Sequence, residues 1–199
     1  PMARARQTAW VGLNHVDQTL SLLRQVDPSL GDMLEGFEII PQSCLTAVLN
    51  HIPQSRSPLG QSHPWYALIE LAGDSADRMT EALEGQLSIA LENGVIQDAV
   101  IAKNEQESED FWRHRDSISA ASRAEGPAIQ HDISVPVDKM PMFIQSNPER
   151  LAHQFSGVRC LSFGHLGDGN VHHHVQPPLG VDGKAWLAQY GQEASRAVY

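Results

Sequence analysis

Gly164-His165-Leu166-Gly167-Asp168-Gly169-Asn170-Val171-His172-His173-His174 gathers four imidazoles around one tight turn. Asp168-Gly169 reads as a two-residue type I′ turn, because that turn needs positive φ at both central positions. The flanking strands are then Val158–Phe163 and Val171–Val175. In this register Gly167 faces Asn170, Leu166 faces Val171, and His165 faces His172. Directly opposite residues have Cβ atoms roughly 5 Å apart on one sheet face, close enough for two imidazoles to share a metal ion. His174 follows His172 by two and lies on the same face. Zinc, iron, nickel and copper all accept imidazole, and a catalytic zinc takes three protein ligands. His174 or a carboxylate from elsewhere would be the third. The alternative is a glycine-rich hairpin whose histidines make only structural hydrogen bonds. Asp168, at the tip, reads as a turn residue.

Upstream of the hairpin, strand-like and helix-like stretches alternate. Val16–Val26 is a short amphipathic helix pattern, 36–40 a strand, and 43–51 a helix. A polar loop at 54–60 leads to a strand at 65–71 and a helix over 75–93, with Ser75 as N-cap and Gly94 as the stop. A strand at 95–102 precedes a long helix over 104–125, closed by Gly126-Pro127. Then come a strand at 128–135, a helical stretch at 139–155 broken near Pro148, the hairpin, and a last helix from Gly183. This order predicts an α+β fold: an antiparallel or mixed sheet of ferredoxin-like topology with helices packed on one face. Residues 1–199 read as one domain.

The composition narrows the function classes. Of 199 residues, 41% are hydrophobic and 19% charged, as in an ordinary globular protein. A net charge of −10 argues against nucleic-acid binding, which requires phosphate neutralisation. No apolar run approaches the ~20 residues of a membrane span. Cys44 and Cys160 give no disulfide framework, from which a reducing, cytoplasmic setting is expected. There is no Walker loop, no Gly-x-Gly-x-x-Gly strand-turn-helix and no Gly-x-Ser-x-Gly elbow. The glycines at 164, 167 and 169 lie within a hairpin, with no helix N-terminus to hold phosphate.

Two further groups carry candidate chemistry. In Trp112-Arg113-His114-Arg115-Asp116, Arg115 and Ser119 are four apart on the expected long helix and share a face. Arg115 suits bidentate capture of a carboxylate, although the residues alone favour a solvated or ion-paired arginine. In Gln130-His131-Asp132, alternation puts Gln130 and Asp132 on one strand face and His131 on the other.

Phe163-Gly164-His165-Leu166-Gly167-Asp168-Gly169-Asn170-Val171-His172 resembles a signature of FAD-linked oxidases of the vanillyl-alcohol-oxidase type. The D-2-hydroxyacid dehydrogenase branch is the most similar. Phe111-Trp112 through Arg115, Asp132-Ile133-Ser134-Val135-Pro136 and, more weakly, Gly36-Phe37-Glu38-Ile39-Ile40 with Leu68-Ile69-Glu70-Leu71 agree in order and spacing. The resemblance implies a C-terminal substrate, or cap, domain. A preceding domain would bind FAD, and a following segment would add a metal-binding glutamate; the unclosed helix pattern at Tyr199 fits the expectation of a fragment. Carried over by motif, His165 and His172 would ligate a divalent metal, zinc being the expected one. Arg115 would bind the substrate carboxylate and Ser119 would line the pocket. His174 and Gln130 stand where relatives have Asn and Lys contacting substrate, and Gln130 should disfavour a second carboxylate. The activity implied is oxidation of a D-2-hydroxyacid, lactate-like, to a 2-oxoacid. His173 or His174 would take the hydroxyl proton, FAD the hydride, and an undetermined acceptor the electrons. Apolar surface left uncovered in a fragment would favour a homodimer. The rival reading is a non-catalytic metal-binding or interaction domain of ferredoxin-like shape.

Overall fold

A computed structural model describes residues 5–199. Seven strands form one sheet: β1 (Ala5–Leu13), β2 (Leu34–Pro41), β3 (Trp65–Gly73), β4 (Asp98–Ile101), β5 (Ile129–Ser134), β6 (Arg159–His165) and β7 (Asn170–Gln176). Their order is β4-β1-β3-β2-β6-β7-β5, and every pairing is antiparallel. Among the described residues the α-helices are α1 (Val16–Leu30), α2 (Gln42–His51), α3 (Ala76–Glu92), α4 (Glu105–Asp116), α5 (Ile118–Ala124), α6 (Met140–Gln154) and α7 (Gly183–Val198).

The expected α+β class is present, and β4-β1-β3-β2 with α1 and α3 forms its ferredoxin-like half. The helices occupy both faces rather than the one expected. Alternation along β1 explains this: Ala9, Val11 and Leu13 pack with α1 and α3, whereas Trp10 packs with Cys44 and Leu45 of α2 and Phe111 of α4. A third cluster joins Ile133 and Val175 to Leu151 of α6 and Ala194 and Val198 of α7. β1 itself is not apparent from the sequence, because Arg6, Gln7 and Thr8 dilute its apolar alternation. Yet it lies between β4 and β3, and its last half is fully buried.

Ser75 caps α3, accepting a hydrogen bond from the Arg78 amide, and Asn104 caps α4 by accepting from Glu107. The long helix expected over 104–125 is two, meeting at Ser117. The break expected at Pro148 is absent. Buried Ile144 and Leu151 flank it, and Asn147 donates to the Val198 carbonyl of α7, so tertiary packing carries α6 through the proline.

The hairpin register differs from the expected one by two residues. His165 pairs with Asn170, Phe163 with His172 and Leu161 with His174. The connection is Leu166-Gly167-Asp168-Gly169, closed by the Gly169 amide donating to the His165 carbonyl at 3.0 Å. Leu166 explains the difference: it is fully buried and its amide donates to Phe37 of β2, so it cannot pair with Val171. A two-residue shift leaves each side chain on its original face, whereas a shift of one would have reversed them all.

Candidate active site

Residues from three elements converge where β2 meets β6. Only two residue pairs register across that seam, Glu38 with His165 and Ile39 with Gly164. Gly164 permits the close approach of β7: a Cβ there would lie 2.1 Å from the Asn170 carbonyl oxygen. Glu38 is completely buried, and its carboxylate is shared. Oε2 accepts from Arg115 Nε at 3.0 Å, and Oε1 faces His165 Nδ1.

Arg115 reaches in from the last turn of α4. Its Nη2 donates to His165 Nε2 at 3.0 Å and to His172 Nε2 at 3.3 Å. Its guanidinium carbon lies 5.5 Å from the centre of the Phe163 ring, within cation–π range. Asp132 Oδ1 on edge strand β5 lies 3.5 Å from His172 Nδ1 and accepts from Asn170 Nδ2 at 2.8 Å. Each imidazole therefore turns Nδ1 to a carboxylate and Nε2 towards one shared point. α4 is held over the sheet at a second place, where Trp112 Nε1 donates to Glu70 Oε2 at 2.7 Å and Arg6 pairs with Oε1.

Electrostatics separate the two histidines. The hydrogen bond to Glu38 raises the His165 pKa above its ordinary value, against opposing burial and the Arg115 charge. Burial, then Arg115, lowers that of His172. Beside His165 opens a cleft of about 630 Å³, walled by Leu20, Leu23, Arg24, Phe37, Val137 and Asp168.

The other expected site residues are dispersed. His174 lies on the same face as His172 but is buried beneath α5. Its Nδ1 is 3.1 Å from Ser122 Oγ, and burial pulls its pKa down to about 4. His173 points to the opposite face, fully buried, with Nδ1 2.6 Å from Ser162 Oγ and the Phe143 ring beside it. Burial lowers its pKa to about 4 as well. The expectation of His173 as proton acceptor is therefore corrected: strand alternation turns it away from His172. Ser119 lies on α5, just past the junction with α4 at Ser117. Gln130 is exposed on β5 opposite His174, in a shallow recess also lined by Arg123 and Lys184.

Glu38 and Asp132 were not singled out as site residues from sequence. The signal for Glu38 was present: a carboxylate in the apolar run Gly36-Phe37-Glu38-Ile39-Ile40 must be paired if the strand is buried.

The donor set suits a metal in part. Histidine ligands characteristically turn Nδ1–H to a carboxylate, as His165 and His172 both do, but here both Nε2 lone pairs accept from Arg115 Nη2, which a metal would have to displace. Among the described residues no third His, Cys, Asp or Glu joins them. Nor does the described chain contain a glycine-rich phosphate cradle at a helix N-terminus.

Residues 2–196 match the family model of FAD linked oxidases, C-terminal domain, and the chain belongs to that family. It is 33% identical over 154 residues to a D-2-hydroxyglutarate dehydrogenase, mitochondrial, of Arabidopsis thaliana, covering 77% of this chain and 27% of that protein. It is 29% identical over 175 residues to the D-2-hydroxyglutarate dehydrogenase, mitochondrial, of Rattus norvegicus, covering 88% and 32% respectively. It is 32% identical over 146 residues to the D-2-hydroxyglutarate dehydrogenase of Xanthomonas citri pv. viticola, covering 73% and 30%. The chain thus spans about a third or less of the length of these relatives. Its fold is that of part of a p-cresol methylhydroxylase with substrate bound, at TM-score 0.66 and 7% identity over 99% of this chain and 43% of that one. The expectation of a cytoplasmic location is overturned by the relatives named mitochondrial. Two free cysteines are compatible with a reducing environment but do not specify a compartment.

Proposed function

We propose that this chain forms the substrate-facing part of an FAD-dependent dehydrogenase that oxidises a D-2-hydroxyacid to a 2-oxoacid. The convergence of Arg115, His165 and His172 over buried Glu38 is the observation that carries this reading. The relatives named D-2-hydroxyglutarate dehydrogenases support the substrate class.

Arg115 binds the substrate carboxylate. Its Nε is committed to Glu38, which fixes the plane of the guanidinium, and Nη2 is the donor offered to substrate once the imidazole nitrogens are otherwise engaged. His165 and His172 would hold a divalent metal, zinc in this reading, through their Nε2 atoms. When bound, such an ion supplies Lewis acidity to the substrate hydroxyl, and FAD supplies a hydride acceptor for C2. Neither His173, which faces away, nor His174, whose Nδ1 is engaged by Ser122, is placed to take the hydroxyl proton.

The test is a panel of D-2-hydroxyacids, lactate and 2-hydroxyglutarate included, assayed with the full-length protein and a redox dye. Arg115→Lys should lower kcat/KM roughly 100-fold, as expected for losing a planar charge-assisted contact worth ~2–3 kcal/mol. An unchanged kcat/KM in a folded variant removes Arg115 from the site.

A further inference from the structure

We propose that Glu38 is a positioning residue: one buried carboxylate sets both the orientation of Arg115 and the tautomer of His165. The inference rests on the functional reading above but concerns an interaction that exists without substrate or metal. Two N–H donors meet the carboxylate, Arg115 Nε on Oε2 and His165 Nδ1 on Oε1. An ionised carboxylate only accepts, so both nitrogens must carry their hydrogens towards it. With Nδ1 protonated, neutral His165 keeps the Nε2 lone pair that Arg115 Nη2 donates to at 3.0 Å. Glu38 thereby keeps the Nε2 lone pair turned to Arg115 and His172, while its fully buried position on β2 leaves it no competing water. The same residue is one of the two registered pairs joining β2 to β6, so backbone pairing and side-chain pairing fix His165 together.

Glu38→Gln separates this role from simple space filling. The amide has nearly the same shape but one acceptor oxygen and one NH2 donor. Arg115 Nε can only donate, so the oxygen turns to Arg115 and the NH2 faces His165 Nδ1. His165 must then accept at Nδ1 and carry its hydrogen on Nε2, opposing Arg115 Nη2. Glu70→Gln is the control. Glu70 is also buried and also holds α4, through Trp112 and Arg6, but it touches neither Arg115 nor His165.

The experiment uses the full-length protein labelled with 15N-histidine, with tautomers read at pH 8.5 in metal-free samples alongside steady-state kinetics of the loaded enzyme. Wild type and Glu70→Gln should show His165 with Nδ1–H; Glu38→Gln should show Nε2–H and a 10- to 100-fold loss of activity, the usual scale for groups that orient a ligand. Glu38→Asp keeps an acceptor-only carboxylate and should retain the wild-type tautomer, which keeps the test decisive if Glu38→Gln does not fold. An unchanged tautomer in Glu38→Gln, or an altered one in Glu38→Asp, overturns the proposal. If wild-type protein oxidises no 2-hydroxyacid, the proposed function falls while the tautomer readout still decides the role of Glu38.

Discussion

Strand alternation separates three consecutive histidines into different chemical settings. His172 stands half-buried beside Arg115, His174 lies sealed under α5, and His173 occupies the opposite face. The period of two was legible in the sequence, and it placed His174 with His172; applied to His173, it would also have excluded that residue. Burial has a consequence for stability. In the unfolded chain His173 titrates near 6.5, whereas in the folded protein it titrates near 4. Between those values the unfolded state binds more protons, so the contribution is intact above about pH 6.5 and is lost as pH falls towards 4. It amounts to up to about 3 kcal/mol. Urea denaturation at pH 7.5 and pH 5.0 should show wild type losing more stability on acidification than His173→Gln; equal losses would exclude His173 as the cause. Gly169 is the second residue-scale test. Its φ is 77°, and a Cβ there would lie 2.0 Å from the Val135 carbonyl oxygen. Gly169→Ala should cost at least ~2 kcal/mol in the same denaturation assay, through strain and a displaced backbone.

The elements place the site by pinning α4 to the sheet twice. Trp112 reaches Glu70 on β3, and Arg115, one turn on, reaches Glu38 on β2. The first tie can be cut without touching the cluster. Trp112→Phe leaves Glu70 Oε2 without its indole donor and should destabilise the protein by ~1–3 kcal/mol, seen as a lower melting temperature. Full wild-type stability in that variant would mean that the hydrogen bond contributes nothing. Element positions were largely legible, since periodicity and caps such as Ser75 and Asn104 mark helix starts locally. Register was not: the loop over 166–169 is chosen by Leu166 burying itself against β2, a long-range contact that the Asp-Gly turn signal does not contain. The halves of the expected long helix part at Ser117 for a similarly non-local reason, as α5 packs against α2 through Ala121 and Ile118.

At the scale of the whole molecule, the sheet joins two parts, β4-β1-β3-β2 and β6-β7-β5, through the short β2–β6 seam. Residues 77 apart in sequence, Glu38 and Arg115, meet on that seam. The histidines were legible as a site because they lie in one hairpin. Glu38 was not, because nothing in a linear reading brings β2 beside β6. The Glu38–Arg115–His165–His172 cluster thus depends on assembly of both halves, and the proposed chemistry depends on the cluster. The most direct measurement is the metal content and D-2-hydroxyacid oxidation of the full-length protein beside a His165→Ala, His172→Ala double variant. Wild type should hold a stoichiometric divalent metal, with metal and oxidation both lost in the folded variant. A metal-free wild type that oxidises D-2-hydroxyacids, or a double variant that keeps its rate, would contradict the proposed chemistry.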